Sequence, residues 1–170
     1  MAVLSWGKVR LIIKKVGETD AKYIEFYTPA QDTTELTTTK GDKKEAFVEG
    51  GAVEAVKYNK NSYSLAATIR LAKGRKKPLN DSDGIIEGEY EVWLQPEDTT
   101  APGMHMASAV VSVEDSYTSE DGVQLTYTFD ATKVDGHDQV EWGTVTVTGE
   151  YLTPTSVSFT EDTEDSKANS

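Results

Sequence analysis

Apolar residues along this chain recur at every second position, in run after run. Val9, Leu11 and Ile13 alternate with Arg10, Ile12 and Lys14. Tyr63, Leu65, Ala67, Ile69 and Leu71 are interleaved with Ser62, Ser64, Thr68 and Arg70. The same spacing returns in Tyr90-Val92-Leu94, in Val123-Leu125-Tyr127-Phe129 and in Val145-Val147. A period of two places one set of side chains on each face of a pleated strand, so each run predicts a half-buried strand. Lys22 to Tyr27 (K-Y-I-E-F-Y) adds an aromatic and branched run. Asp-Gly pairs at 83–84, 121–122 and 135–136 supply residues that tolerate tight turns. The last two fall between strand runs and predict a three-stranded antiparallel meander over residues 107–117, 123–133 and 139–151. Helix signals are few. Ala46 to Tyr58 carries Gly50-Gly51 at its middle, which reads as a bent strand pair or a short helix followed by a strand. Asn80 to Ile86 offers at most one capped turn. The predicted class is mainly β: a sandwich or barrel of antiparallel strands with at most one short helix.

At 170 residues the chain suits one domain. Its expected limits are residues 1–159, followed by an acidic tail over 160–170 with the composition of a flexible segment. Thr28 to Glu45 is Thr-rich and poor in apolar residues, and predicts a long loop, either a functional arm or an extended hairpin. The absence of cysteine excludes disulfides, thiolate metal sites and cysteine nucleophiles. The two histidines, His105 and His137, exclude a three-histidine metal site within one chain. The apolar run Leu11-Ile12-Ile13 is too short for a leader or a membrane span, which leads to an expectation of a cytosolic protein with no membrane partner.

The net charge of −12 argues against binding nucleic acid by neutralising phosphates. Its distribution is uneven. Residues 1–78 hold 15 bases and 9 acids, whereas residues 79–170 hold 2 bases and 20 acids. Two readings remain open: a solvated acidic half, or self-association with the basic half of one copy facing the acidic half of another.

No constellation selects a reaction. Asp81-Ser82-Asp83-Gly84 resembles part of a calcium loop, but registering its glycine puts Leu79 and Tyr90 at ligand positions, so it reads as a turn. Asp135-Gly136-His137-Asp138 gathers a metal-binding composition but is built of turn formers. The basic run Lys73 to Pro78 is either a docking patch or a solvated loop. Trp93 shares parity with Glu89 and Glu91, and Trp142 with Thr144 and Thr146. These rings, with Trp6, suit a subunit contact, a ligand platform or a second small core. No nucleophile elbow, phosphate loop, dinucleotide fingerprint or zinc-helix motif is present, so neither an enzyme nor a cofactor is expected.

Several stretches share a common style. A Ser5-Trp6-Gly7 entry leads into a strand and a Thr-rich arm. Glu49-Gly50-Gly51-Ala52-Val53-Glu54 and Ser64-Leu65-Ala66-Ala67-Thr68-Ile69-Arg70 follow. Then come Gly88-Glu89-Tyr90-Glu91-Val92-Trp93-Leu94-Gln95-Pro96-Glu97-Asp98 and Gly143-Thr144-Val145-Thr146-Val147-Thr148-Gly149. Across residues 5–152 this layout resembles the major tail (tail tube) proteins of long-tailed bacteriophages. The resemblance implies a two-sheet β domain with a short flanking helix. It also implies hexameric rings stacked into a tube, contacts with other tail proteins, and a place in the virion tail after assembly in the host cytoplasm. DNA would pass through the channel without specific binding. In that frame Thr126, Thr128, Asp130, Thr144, Thr146, Thr148 and Glu150 are candidates to face the lumen. Thr33, Thr34, Leu36, Lys43 and Lys44, with Arg75, Lys76 and Lys77, are candidates for stacking or docking. The alternative is a β-sandwich decoration domain that binds carbohydrate or a host surface through Trp93 or Trp142.

Overall fold

The computed structural model describes residues 7–162. Trp6 and the last eight residues of the expected tail lie outside them. Eleven strands and no helix are found among the described residues. They are β1 (Arg10–Lys15), β2 (Ile24–Glu25), β3 (Glu35–Thr39), β4 (Lys43–Phe47), β5 (Val53–Tyr58), β6 (Ser62–Leu71), β7 (Ile85–Gln95), β8 (Gly103–Thr118), β9 (Gly122–Ala131), β10 (Glu141–Glu150) and β11 (Thr153–Glu161). All pairings are antiparallel, so the mainly β, antiparallel expectation holds. Neither helix signal becomes a helix. Asn80 to Ile86 contains a turn closed by the Ser82–Ile85 bridge.

The main sheet runs β2-β1-β7-β8-β9-β6-β3 and does not close on itself. It curls instead. Phe26, just past β2, lies edge-on to Tyr127 of β9 with ring centroids 4.8 Å apart. The following chain crosses the opening, where the Ala30 amide donates to the Thr68 carbonyl of β6 at 2.7 Å. Inside the curl the alternating runs meet: Leu11 and Ile13, Leu65 and Ile69, and Leu125, Tyr127 and Phe129 are buried in one core. Val123 keeps the same parity but is 37% exposed, because β9 outruns the core at that end.

The meander is corrected by the structure. β8 and β9 pair through a turn at Asp121-Gly122, where Gly122 takes φ +73°. β10 does not pair with β9. It pairs with the first residues of β8, Gly103 to His105, and with β11. The reason is the connection: residues 132–140 form a long loop, and its Asp135-Gly136 turn lies inside that loop and joins no strand pair. β9 and β10 therefore use different stretches of the same long strand. The β10–β11 hairpin lies over the back of β1 and β7, and a second core of Ile12, Trp93, Val145 and Val157 fills the gap. β1 is consequently buried on both faces. Thr160 and Glu161, placed in the tail by composition, are strand residues paired with Thr144 and Gly143.

Tyr127 carries the one buried side-chain polar atom without a hydrogen-bond partner among the described residues. The Leu79 backbone approaches its hydroxyl without reaching hydrogen-bond geometry, and burial pushes the phenol pKa up to about 12. An unsatisfied buried hydroxyl is a net cost. Tyr127→Phe should therefore raise stability by about 1 kcal/mol, read as a higher urea midpoint with an unchanged slope. A lower midpoint would show that the hydroxyl is satisfied in solution.

Candidate functional site

The most conspicuous surface feature is the β4–β5 ribbon. Its register pairs Lys43 with Tyr58, Lys44 with Lys57, Glu45 with Val56 and Ala46 with Ala55, followed by a bulge and the Phe47–Val53 pair. Gly50 and Gly51 turn the chain with φ of +92° and +84°, values that favour glycine. Every residue of both strands is exposed. Paired residues share a face, so Tyr58, Val56, Phe47 and Val53 form an apolar stripe beside Lys43 and Glu45, with exposures of 48% to 60% for the four. The root of the ribbon is tied where the Asn59 amide donates to the Asp42 carbonyl and the Gly41 amide to Asn61 Oδ1. A lone two-stranded hairpin is marginal in water. This one carries a large exposed apolar face, with the Lys40 ammonium 5.2 Å from the Tyr58 ring centre and no core side chain packed on it among the described residues.

The sequence leads to an expected long loop over residues 28–45, either an arm or an extended hairpin; the structure has β3 and the start of β4 within that stretch, and the exposed ribbon runs over 43–58. β3 is zipped onto β6, with Glu35 to Thr39 paired to Ala66 to Ser62. Leu36 packs against the main core, and Thr33 Oγ1 donates to the Ala30 carbonyl at 2.7 Å. Thr34 is half-buried in the same crossing. Lys43 and Lys44 stand on the ribbon, where Lys43 pairs with Glu45.

The basic run is less free than its composition suggests. The Arg75 guanidinium lies 4.7 Å from the ring centre of Tyr27. Lys77 pairs with Asp81 at 3.2 Å and Asp115 at 3.5 Å, and Arg70 lies 3.8 Å from Asp121. Lys76 is exposed. The basic and acidic halves of the sequence thus meet within one copy at these pairs.

The threonine sets lie on two layers. Thr126 and Thr128 are half-buried on the outer face of β9, and Thr126 Oγ1 is 2.9 Å from Thr68 Oγ1 of β6. Asp130 is exposed at the strand's end. Thr144 is half-buried, and Thr146, Thr148 and Glu150 are exposed, on the separate β10–β11 hairpin. Trp93 is 4% exposed within the second core, which removes it as a platform, whereas Trp142 is 50% exposed.

A polar cluster absent from the sequence reading sits under the base of the β10–β11 hairpin. His105 on β8 is buried, with Nε2 at 2.6 Å from Glu91 Oε2 on β7 and Nδ1 at 3.0 Å from Glu141 Oε1 on β10. His137 Nδ1 reaches the same Glu141 oxygen at 3.1 Å. The His105 ring lies between Phe159 of β11, stacked at 4.9 Å, and Trp93 at 5.7 Å. Burial opposes a charge on the imidazole, but the hydrogen bonds from Glu91 and Glu141 outweigh it and raise the His105 pKa. Glu161 is pushed above the usual carboxylate range by desolvation and by the charges of Glu141 and Asp138. Both ring nitrogens of His105 are spent on carboxylates, and among the described residues no group of three or more such side chains is disposed to hold a metal ion.

Three more contacts fix the far end of this hairpin, all through Arg10, Glu25 and Thr28. Arg10 grips Glu25 through two bonds, Nε to Oε2 at 3.1 Å and Nη2 to Oε1 at 2.6 Å. Glu25 Oε1 also accepts the Leu152 amide at 3.0 Å, and Arg10 Nη2 donates to the Glu150 carbonyl. The Thr28 amide donates to the Tyr151 hydroxyl at 2.7 Å. A scan of protein-family models and a search of curated proteins both find no match to this chain.

Proposed function

We propose that this protein is a structural subunit that assembles with copies of itself into stacked rings, in the manner of the tail tube proteins it resembles. The observation that carries the reading is the β4–β5 ribbon, whose apolar stripe of Phe47, Val53, Val56 and Tyr58 is exposed, with no apolar side chain packed on it among the described residues. The occupant is a second copy. The outer face of β7 and β8 exposes Ile85 (71%) and Val110 (44%), with exposed Glu87 and Glu114 on the same two strands. The apolar pair suits the apolar stripe, whose edge is the Lys43–Glu45 ion pair with Lys40 over Tyr58. An arm of one copy on the strand face of the next is a heterologous contact, which propagates as a ring or a filament. The outer face of β6 and β9 is polar, with Thr68, Thr126 and Thr128, and its one cation, Arg70, lies 3.8 Å from Asp121; with the net charge of −12 this supports passage of DNA without binding.

Electron microscopy of the purified protein tests the reading. Rings or long hollow tubes are the expected result. A persistent monomer that binds glycans through exposed Trp142 would replace it with the decoration-domain reading.

A further inference from the structure

The two ends of the β10–β11 hairpin are held by different chemistry. At the tip, Arg10 and Glu25 hold the backbone of Glu150 and Leu152, and Tyr151 caps Thr28. Arginine keeps its charge throughout the ordinary pH range, so the Arg10 side of this latch does not titrate. At the base, Glu141 to Gly143 of β10 pair through the backbone with His105 to Gly103 of β8, and the Gln95 amide donates to the Val145 carbonyl at 2.9 Å. The β11 side has no such ladder and meets the centre through His105, whose edge meets Glu141 and whose face meets Phe159. A neutral imidazole has one donor and one acceptor nitrogen, whereas an imidazolium has two donors. Here both nitrogens face carboxylate oxygens, so the arrangement fits the charged ring alone. The flanking rings of Phe159 and Trp93 favour the same form, because an aromatic face attracts a cation.

We propose that the charge on His105 is a switch for the β11 side of the hairpin base: charged, it seats the Glu141 side chain and Phe159 on the central strands; neutral, it releases β11 at that end while the β8–β10 pairing and the tip stay in place. The charged groups that face it come from every neighbouring element. β7 supplies Glu91, β10 supplies Glu141, β11 supplies Glu161, and the loop before β10 supplies His137 and Asp138. β1 supplies Lys14, the register partner of Glu91, and Lys15, and the turn after it supplies Glu18, all lining the cavity beside His105. Once His105 is neutral, Glu91, Glu141 and Glu161 remain around a ring that no longer offsets their repulsion. The sign follows from the raised pKa. The stabilisation is complete below the ordinary imidazole range and is lost as pH rises through the higher value of the folded state. Release would uncover Val145 and Val157 of the second core.

An NMR titration of the full chain from about pH 6 to about pH 9 reads this directly, since it spans the ordinary imidazole range and the region above it and stops short of the phenol range. The His105 ring protons should titrate above the ordinary histidine value. The amides of Val157 and Phe159 and the Trp93 indole should move with the same midpoint, while the amides of Glu150 and Leu152 should stay still. Glu91→Gln should bring that midpoint down towards the ordinary value, an effect that a merely space-filling histidine would not show. At one fixed pH below the midpoint, His105→Gln should speed amide exchange at Val157 and Phe159 by at least roughly tenfold, as loss of a charge-assisted hydrogen bond implies. The proposal is overturned if His105 titrates at or below the ordinary value. It is equally overturned if its titration passes with Val157 and Phe159 unmoved, or if Glu91→Gln leaves the midpoint in place. None of these outcomes depends on assembly.

Discussion

Replacing Arg10 with alanine should cost about 3–5 kcal/mol of stability, the penalty for stranding a buried carboxylate. The Glu25 side chain has 0% exposure, so water cannot take over from the guanidinium. The Leu152 amide would remain as a donor, but a single amide does not neutralise the charge. Urea denaturation followed by tryptophan fluorescence checks the size of the loss. The companion variant Arg10→Met/Glu25→Leu separates the causes. Removing both charges together should recover most of the loss, since the penalty belongs to the unpaired charge more than to the missing bridge. If Arg10→Ala shifted the midpoint by less than a surface ion pair does, about 1 kcal/mol or under, the burial of Glu25 in solution would have to be rejected.

Serine at Phe47, Val56 and Tyr58 together should abolish self-association and leave the urea midpoint of the subunit where it was. The two halves of that expectation rest on the same fact: these side chains are exposed and touch no core residue. Each anchor is worth on the order of 1–2 kcal/mol at an interface, so losing three weakens association by on the order of a thousandfold. Sedimentation of variant and parent at equal concentration measures it, and tubes of normal length from the triple variant would remove the ribbon from the assembly contact. Ile85→Lys tests the opposite surface and should give the same loss if the ribbon sits there. Deleting residues 31–42 is a poorer test, because it removes β3 and takes Leu36 out of the core.

Alternation makes the main core legible before any coordinate. Leu65, Ala67 and Ile69, and Leu125, Tyr127 and Phe129, point inward as their parity demands. The same rule misplaces Ile12. It sits at an outward position on β1, yet the β10–β11 hairpin lies over that face and buries it. Parity describes one strand at a time and carries no information about a second layer arriving from far along the chain. The ribbon was half legible, as a bent strand pair around Gly50-Gly51. Its freedom from the body was not, because exposure is a property of what fails to pack nearby. The His105 cluster left no local pattern, since its partners lie 14 and 36 residues away. The one available hint was Glu91 and Trp93 on the same face of a strand. The charge segregation read along the sequence dissolves in space wherever Lys77 meets Asp115 and Arg70 meets Asp121.

The pairing of β1 with β7 has a consequence for how the chain is made. Arg10 is matched with Gln95 and Lys15 with Tyr90, so the first strand emerges from the ribosome long before its partner exists. At synthesis rates of about 5–20 residues per second, the wait is on the order of ten seconds. Through that interval Leu11, Ile12 and Ile13 stand apolar on both faces of a strand with one open edge, only the two-residue β2 being available for the other, the kind of segment that nascent chains use to stick to one another. Arg10 on one side and Lys14 and Lys15 on the other bracket the triplet with like charge. Such flanking charges act as gatekeepers that keep neighbouring nascent chains apart. In the finished molecule one of the three, Arg10, is redeployed as the grip on Glu25.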